Sequence, residues 1–408
     1  MLLAGGGPPG AGGRAGHRRV TPRYRLLLVD QGLYAASNLA AVVLAGRSAD
    51  PARFGRFMLA FLALSVAVNG VRAMWSEPEM ARGEASPAPS RATAVVVAAA
   101  SSTVAVAGMA GLAPWAAAVA AAGTVALLQD RLRYRALLRR HPAAAVRSDA
   151  VWVLVMAAVG AATVLSPAVA SRLGVDDVLG VWTLGAGAAV AVNLPASQRR
   201  ANVERPGRVA APRGLFAADF VLQSGATQAV GLLLALVMAP APYGELRGAI
   251  TLLGPVGVAN TALTTQLLAG RPARARLVAG IGGAALAVVA GLAAVPERVG
   301  TAALGSAWPG RAVLALIGAT VAAQTVSTWG LTRLKLADRR RALLVLRAGG
   351  AVALAGASLG AAAASGGVGL VAAAYLAVNA ALALAAGALA RRTPAVAPVP
   401  PAPLVRTA

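Results

Sequence analysis

A succession of long apolar runs, separated by short arginine-rich segments, limits what this 408-residue chain can fold into. An α-helix needs about 20 apolar residues to cross the hydrocarbon core of a bilayer. Twelve segments approach that length: 26–46, 54–75, 92–111, 114–130, 149–171, 176–195, 215–238, 246–270, 276–295, 311–331, 342–363 and 367–390. Charged residues make up only 13% of the chain, against roughly 25% in a soluble globular protein. Most of the surface therefore faces something other than water. The expected fold class is an all-α integral membrane bundle of about twelve transmembrane helices.

The basic residues orient the bundle. Of 38 basic side chains, all but Lys335 are arginine, and the net charge is +24. With the first residue inside, the alternating segments assigned to the cytoplasm hold 29 basic residues. The opposite segments hold seven, namely Arg47, Arg53, Arg56, Arg172, Arg247, Arg298 and Arg311. Such a bias is how a multi-pass protein fixes its orientation. It places both termini in the cytoplasm, the chain being expected in the cell membrane.

Residues 1–25 read as a disordered basic leader and 391–408 as a Pro-rich tail. No apolar segment followed by a small-residue cleavage site marks the leader as a signal peptide. Between them lie an amino-terminal six-helix lobe (26–195), a cytoplasmic linker (196–214) and a carboxy-terminal six-helix lobe (215–390).

Several functions are disfavoured. The arginines separate apolar runs and do not form a basic face interleaved with aromatics, so no nucleic-acid partner is expected. There is no cysteine, and His17 and His141 both lie in hydrophilic stretches. No catalytic residue, metal site or cofactor is therefore assigned, beyond coupling to H+ or Na+. Lys335 is not part of a glycine-rich phosphate loop. The loops are too short to carry an acidic pair for an integral-membrane glycosyltransferase, and the chain is not expected to be an enzyme.

Residues 30–57 match 219–246 at a constant offset of 189: Asp30 falls on Asp219, Leu33 on Leu222, and Phe54–Gly55 on Tyr243–Gly244. Six spans per copy is an even number, so both copies enter from the same side. They form parallel lobes related by a pseudo-two-fold axis along the membrane normal.

An ionisable side chain at mid-membrane costs about 2.5–3.5 kcal/mol by insertion scales, so intramembrane acids matter. Asp30, Tyr34 and Asn38 follow one another at four-residue steps and share a helix face. Asp219, Gln223 and Thr227 repeat the pattern in the second copy. Two such stripes suit either the walls of one cavity, with Asp30 and Asp219 as coupling acids, or acids paired at the interface, such as Asp30 with Arg25. Arg72 can snorkel to the interface or offer its fork to a phosphate. The run from Gln129 to Arg140 reads as a basic cytoplasmic stalk, with Arg131 and Arg133 near a cavity mouth.

The string from Val29 to Met80 resembles the amino-terminal region of bacterial polysaccharide and O-antigen flippases, relatives of the MATE drug exporters and the lipid II flippase. The resemblance rests on Asp30–Gln31, Asn38, Phe54–Gly55, and Arg72 followed by Glu77–Pro78. It also rests on the stretch from Gln129 to Trp152, with Arg133–Tyr134 and Asp149, and on Gly254–Pro255. The resemblance implies a two-lobed, MATE-like flippase. It would move lipid-linked oligosaccharide, a polysaccharide or lipopolysaccharide precursor, across the membrane by alternating access. Arg72, Arg131 and Arg133 would then meet the pyrophosphate, with membrane lipids and other polysaccharide-assembly proteins as partners. Two further readings are a cation-coupled antiporter of small amphipathic cations and a non-transporting scaffold of envelope assembly.

Overall fold

A backbone surrounded by lipid can satisfy its amides only within its own segment or in a closed barrel. Among the described residues of the computed structural model every element is helical and no strand occurs. These residues are 22–72, 116–138, 141–198, 221–254, 275–337, 339–365 and 367–392, with Ser76, Glu79 and scattered positions in 256–264.

The first half contains α1 (Pro22–Ser48), α2 (Pro51–Val71), α3 (Ala116–Leu138), α4 (Pro142–Leu165), the short α5 (Pro167–Arg172) and α6 (Val175–Gln198). The second half opens with a π turn (Val221–Gly225), followed by α7 (Ala226–Val237), α8 (Pro240–Leu252) and α9 (Ala275–Ala294). It ends with α10 (Glu297–Leu304), a 3-10 turn (Gly305–Ala307), α11 (Arg311–Leu336), α12 (Arg340–Ser365) and α13 (Val368–Arg392). Helices occupy each expected segment except 92–111, which lies outside the described residues. Six of them are long and apolar enough to cross a membrane, seven if the bent pair formed by α9 and α10 is one span. α1 and α3 fall short of that measure because each carries polar and charged residues in its length.

Local chemistry explains the helix starts. Proline opens α2, α4, α5 and α8, where its missing amide is one the helix would leave unbonded anyway. Asp50 caps α2 by accepting from the amides of Ala52 and Arg53 at 3.0 and 2.9 Å.

Three boundaries depart from expectation. α3 continues through 129–138 and buries Arg131 and Arg133, so no solvated stalk exists there. α8 begins at Pro240, which draws Arg247 out of the expected outer loop and into a helix. The stretch 296–310, expected as a plain loop, folds back at 98° as α10 and the 3-10 turn. Pro296 causes this break, since its ring cannot continue α9. Reassigning Arg131, Arg133 and Arg247 leaves the direction of the arginine bias unchanged.

In the first half α1 packs on α4, while α6 packs on both α3 and α4; in the second, α11 packs on α9 and α13, and α12 on α7 and α13. α2 and α8 meet directly, at positions equivalent under the 189-residue offset. A Cβ on Gly244 would lie 3.1 Å from the Gly55 backbone and from Phe54 Cδ1. Gly55 and Gly244 are the pair matched by that offset. Glycine is needed because larger residues would hold the backbones apart.

The α11–α13 contact is equally close, since a Cβ on Gly330 would stand 2.7 Å from the Ala386 carbonyl. Gly330→Ala is expected to cost about 1–3 kcal/mol through overpacking, read as a lower thermal midpoint in detergent. Gly356→Ala, where a Cβ meets open space, serves as the neutral control.

Candidate functional site

The polar positions of α1, α2, α3 and α4 converge on one buried network. Arg133 of α3 is fully buried. Its Nε and Nη2 donate to Asp30 Oδ2 of α1, the Nε at 2.9 Å. The same Nε lies 3.1 Å from Asp149 Oδ2 of α4, and Nη1 donates to Asp130 Oδ1 at 3.4 Å. Arg72, at the end of α2, grips Asp130 with both arms of its fork: Nη2 to Oδ1 at 2.6 Å and Nε to Oδ2 at 3.3 Å. Gln129 holds Asp149 Oδ1 at 2.6 Å, and Ser148 ties α4 to the Ala189 carbonyl of α6 at 3.1 Å.

Two tyrosines frame the guanidinium groups. The Tyr34 ring centroid lies 4.9 Å from Arg133 Cζ and 5.3 Å from Arg72 Cζ. Tyr134 stands at 5.7 and 5.3 Å from the same atoms. Cation–π contacts of this kind gain strength when desolvated. Trp152 meets Tyr34 edge-on at 6.1 Å and closes the apolar side.

Counting charge gives three carboxylates, Asp30, Asp130 and Asp149, around two guanidinium groups, Arg72 and Arg133. Among the described residues, with all five ionised, the network carries one excess negative charge. Asp30 Oδ1 and Gln129 Oε1 lack hydrogen-bond partners, as do Asn38 Oδ1 farther along α1 and the Trp152 indole nitrogen, while Asp149 Oδ2 has the Arg133 ion pair but no hydrogen bond. Such a group can receive a proton or a small monovalent cation. Among the described residues no cluster of three or more His, Cys, Asp or Glu is placed to hold a metal ion.

The expected residues thus separate. Asp30, Tyr34, Arg72 and Arg133 come together. Arg72 uses its fork as expected, but on the Asp130 carboxylate. Asp30 pairs with Arg133, 103 residues away; the Arg25 side chain, its expected interface partner, lies outside the described ones. Arg131 turns elsewhere, donating to Glu79 at 2.8 Å and approaching Ser76 at 3.5 Å. Asp219 and the Gln223 side chain lie outside the described residues; Thr227 lies in α7, half-buried.

Asp130, Asp149 and Gln129 were not singled out as site residues in the sequence, although Asp130 precedes Arg133 by three positions, a helical pairing distance. Arg247 was also missed. It sits two turns into α8, its Nε buried without a hydrogen-bond partner. Among the described residues no carboxylate lies within salt-bridge distance of it. Its Nη1 lies beside Gly231 of α7. Tyr243 is 1% exposed with an unpartnered hydroxyl one turn earlier, and Tyr375 of α13 is within electrostatic reach of both. This corner of the second half gathers a guanidinium and phenols that can donate.

Neither a protein-family model nor a curated protein sequence matches the chain. Two solved structures are similar to it. A MATE protein in complex with Br-NRF aligns over 91% of this chain and 94% of its own, at 11% identity and a TM-score of 0.42. A MATE protein in complex with MaL6 aligns over 90% and 85%, at 12% identity and a TM-score of 0.37.

Removing the Arg133 charge leaves Asp30 and Asp149 buried against one another. Arg133→Gln is expected to destabilise the protein by about 3–5 kcal/mol. The double variant Arg133→Gln/Asp149→Asn is expected to recover part of that loss. Thermal unfolding of the four species of this cycle in detergent measures the coupling.

Proposed function

We propose that the chain is a MATE-like secondary transporter of the cell membrane, coupled to H+ or Na+, whose substrate carries an anionic group. The observation that carries this reading is the excess carboxylate in the α1–α4 network. A permanently unbalanced charge in a membrane interior is costly. A charge that binds and releases a cation as the protein cycles is useful, because the cation gradient then biases the conformational equilibrium. Asp149 and Asp30 are the coupling acids of this proposal. The absence of a P-loop motif supports the same source of energy.

Arg247 and Tyr243 support the anionic substrate, and lipid-linked oligosaccharide fits that chemistry through its phosphate groups. Two six-helix lobes, 26–195 and 215–390, would rock about the α2–α8 contact, with cytoplasmic termini and with polysaccharide-assembly proteins as partners. An antiporter of amphipathic cations would have to pass its substrate beside an unscreened guanidinium. A non-transporting scaffold has no use for an unbalanced buried charge.

The test is translocation of lipid-linked oligosaccharide in proteoliposomes under an imposed pH or Na+ gradient. Wild type is expected to respond to one of the two gradients. Asp149→Asn should lose the gradient response, and Arg247→Gln should raise the half-saturating substrate concentration while leaving the gradient response intact. If Asp149→Asn and Asp30→Asn both respond to the gradient as wild type does, cation coupling at this network is excluded. Transport of cationic dyes unaffected by Arg247→Gln would favour the antiporter.

A further inference from the structure

The bend after α9 carries a structural element that the transport reading leaves unused. Pro296 turns the chain and α10 runs back across the end of the bundle that the arginine bias assigns to the outside. Trp308 packs its indole onto Gly300 and holds the fold-back together. Gly305 then adopts φ +58° and ψ −135°, a backbone conformation essentially confined to glycine. That reversal pushes Ser306 and Ala307 out of the second half and into the first.

The contact they make there is close and depends on glycine. A Cβ on Gly46 of α1 would lie 2.6 Å from the Ala307 amide nitrogen and 2.7 Å from the Leu304 carbonyl oxygen. One on Gly248 of α8 would lie 3.1 Å from the Ala307 carbonyl oxygen. Ala307, fully buried, is therefore wedged between α1 of the first half and α8 of the second. Few polar bonds cross this joint. Ser306 Oγ donates to the Ala49 carbonyl at 2.8 Å. Arg47 Nη1 reaches the Ala303 and Ala302 carbonyls at 3.0 and 3.4 Å, capping the end of α10, where the helix dipole favours a cation. Glu245 of α8 anchors the far side by accepting from the Gly310 amide at 2.9 Å.

We propose that the segment from Leu304 to Ala307 is an external latch. It holds the two halves together at this end of the bundle, and its release from Gly46 opens the cleft on that side. The chemistry of the joint suits a contact that must break and reform. Backbone meets backbone across glycine, with Leu304 the one large side chain of the segment packed on the core, and its described hydrogen bonds to the first half run from side chains to carbonyls, so water can replace them. The rigid parts lie on either side: Gly305, Trp308 and Glu245 fix the latch to the second half, while α1 carries its receptor. The latch bears on transport only through the reading above, but whether it holds the halves together can be measured without a substrate or an ion.

The chain has no cysteine, so labels can be placed on an unaltered background. Spin labels at Arg53→Cys and Arg311→Cys, both exposed, report the distance between halves by pulsed electron resonance. A pair at Arg298→Cys and Arg311→Cys reports on the second half alone. The expected wild-type result is one short population between halves. Gly46→Leu should add a longer one, and the milder Arg47→Gln/Ser306→Ala should do so to a lesser extent, with the within-half pair unchanged.

A between-halves distance that stays single and short in the Arg47→Gln/Ser306→Ala protein and in folded Gly46→Leu overturns the latch. Equal movement of the within-half pair overturns it too, because α10 would then merely be fraying. Cross-linking Ala49→Cys to Ser306→Cys should return the longer population to the short one and, in proteoliposomes, stop transport until the bond is reduced. Full transport with the cross-link in place also overturns the proposal. Loss of the cation response in Asp149→Asn leaves these distances unaffected, so the two readings fail separately.

Discussion

The structure of the first half depends on a buried guanidinium that must be neutralised. Arg133 has no access to water, and a charge in that position survives only when paired and hydrogen-bonded. Its partners come from α1, α3 and α4, and through Asp130 it is linked to Arg72 of α2. Four helices are thereby held in one register by charge. Beside the network, Phe57, Phe61, Trp152 and Trp182 pack as one aromatic cluster, and alanine, valine and leucine fill the rest. In a bundle this rich in small apolar residues, the ion pairs add specificity.

The second half solves its packing differently. α11 carries no charged residue between Ala312 and Thr332, and its neighbours approach through Gly318 and Gly330. The two halves therefore differ in chemistry. One contains surplus carboxylate, and the other contains Arg247 without a carboxylate partner among the described residues.

The helices were legible in the sequence because apolar run length is a one-dimensional signal. So were Asp30, Tyr34 and Arg72 as individual residues, since each is polar inside an apolar span, whereas Arg133 was placed in the stalk at a cavity mouth. Their pairing was not, because Arg133 and Asp30 are separated by 103 positions and nothing in a single sequence links them. The stalk reading failed because a helix that continues past its apolar run looks the same in sequence whether its arginines meet water or buried acids. Here Glu79, Asp130 and Asp149 supply the acids. The start of the helix that carries Arg247 was misplaced by six residues, from 246 to Pro240, more than the roughly two to four usual for helix ends. Gly46 and Gly305 gave no signal at all: among 46 glycines, nothing distinguishes one that meets another backbone from one that faces lipid.

One element connects the charged network to the end of the bundle where the halves meet. α1 carries Asp30 near one end and Gly46 and Arg47 near the other, sixteen residues apart, or about 24 Å at 1.5 Å per residue. No proline interrupts α1 between them, so the helix has no built-in kink to absorb a displacement. In the transport cycle proposed above, protonation or cation binding at the network would weaken the attraction of Arg133 for the carboxylates it shares, of which Asp30 alone lies on α1. A shift of α1 that follows reaches Gly46 as a movement of its backbone against Ala307. That contact tolerates little motion, because the two backbones already touch. A small electrostatic change at one end of a stiff helix is in this way converted into a steric one at the other, which is what coupling an ion gradient to an opening requires.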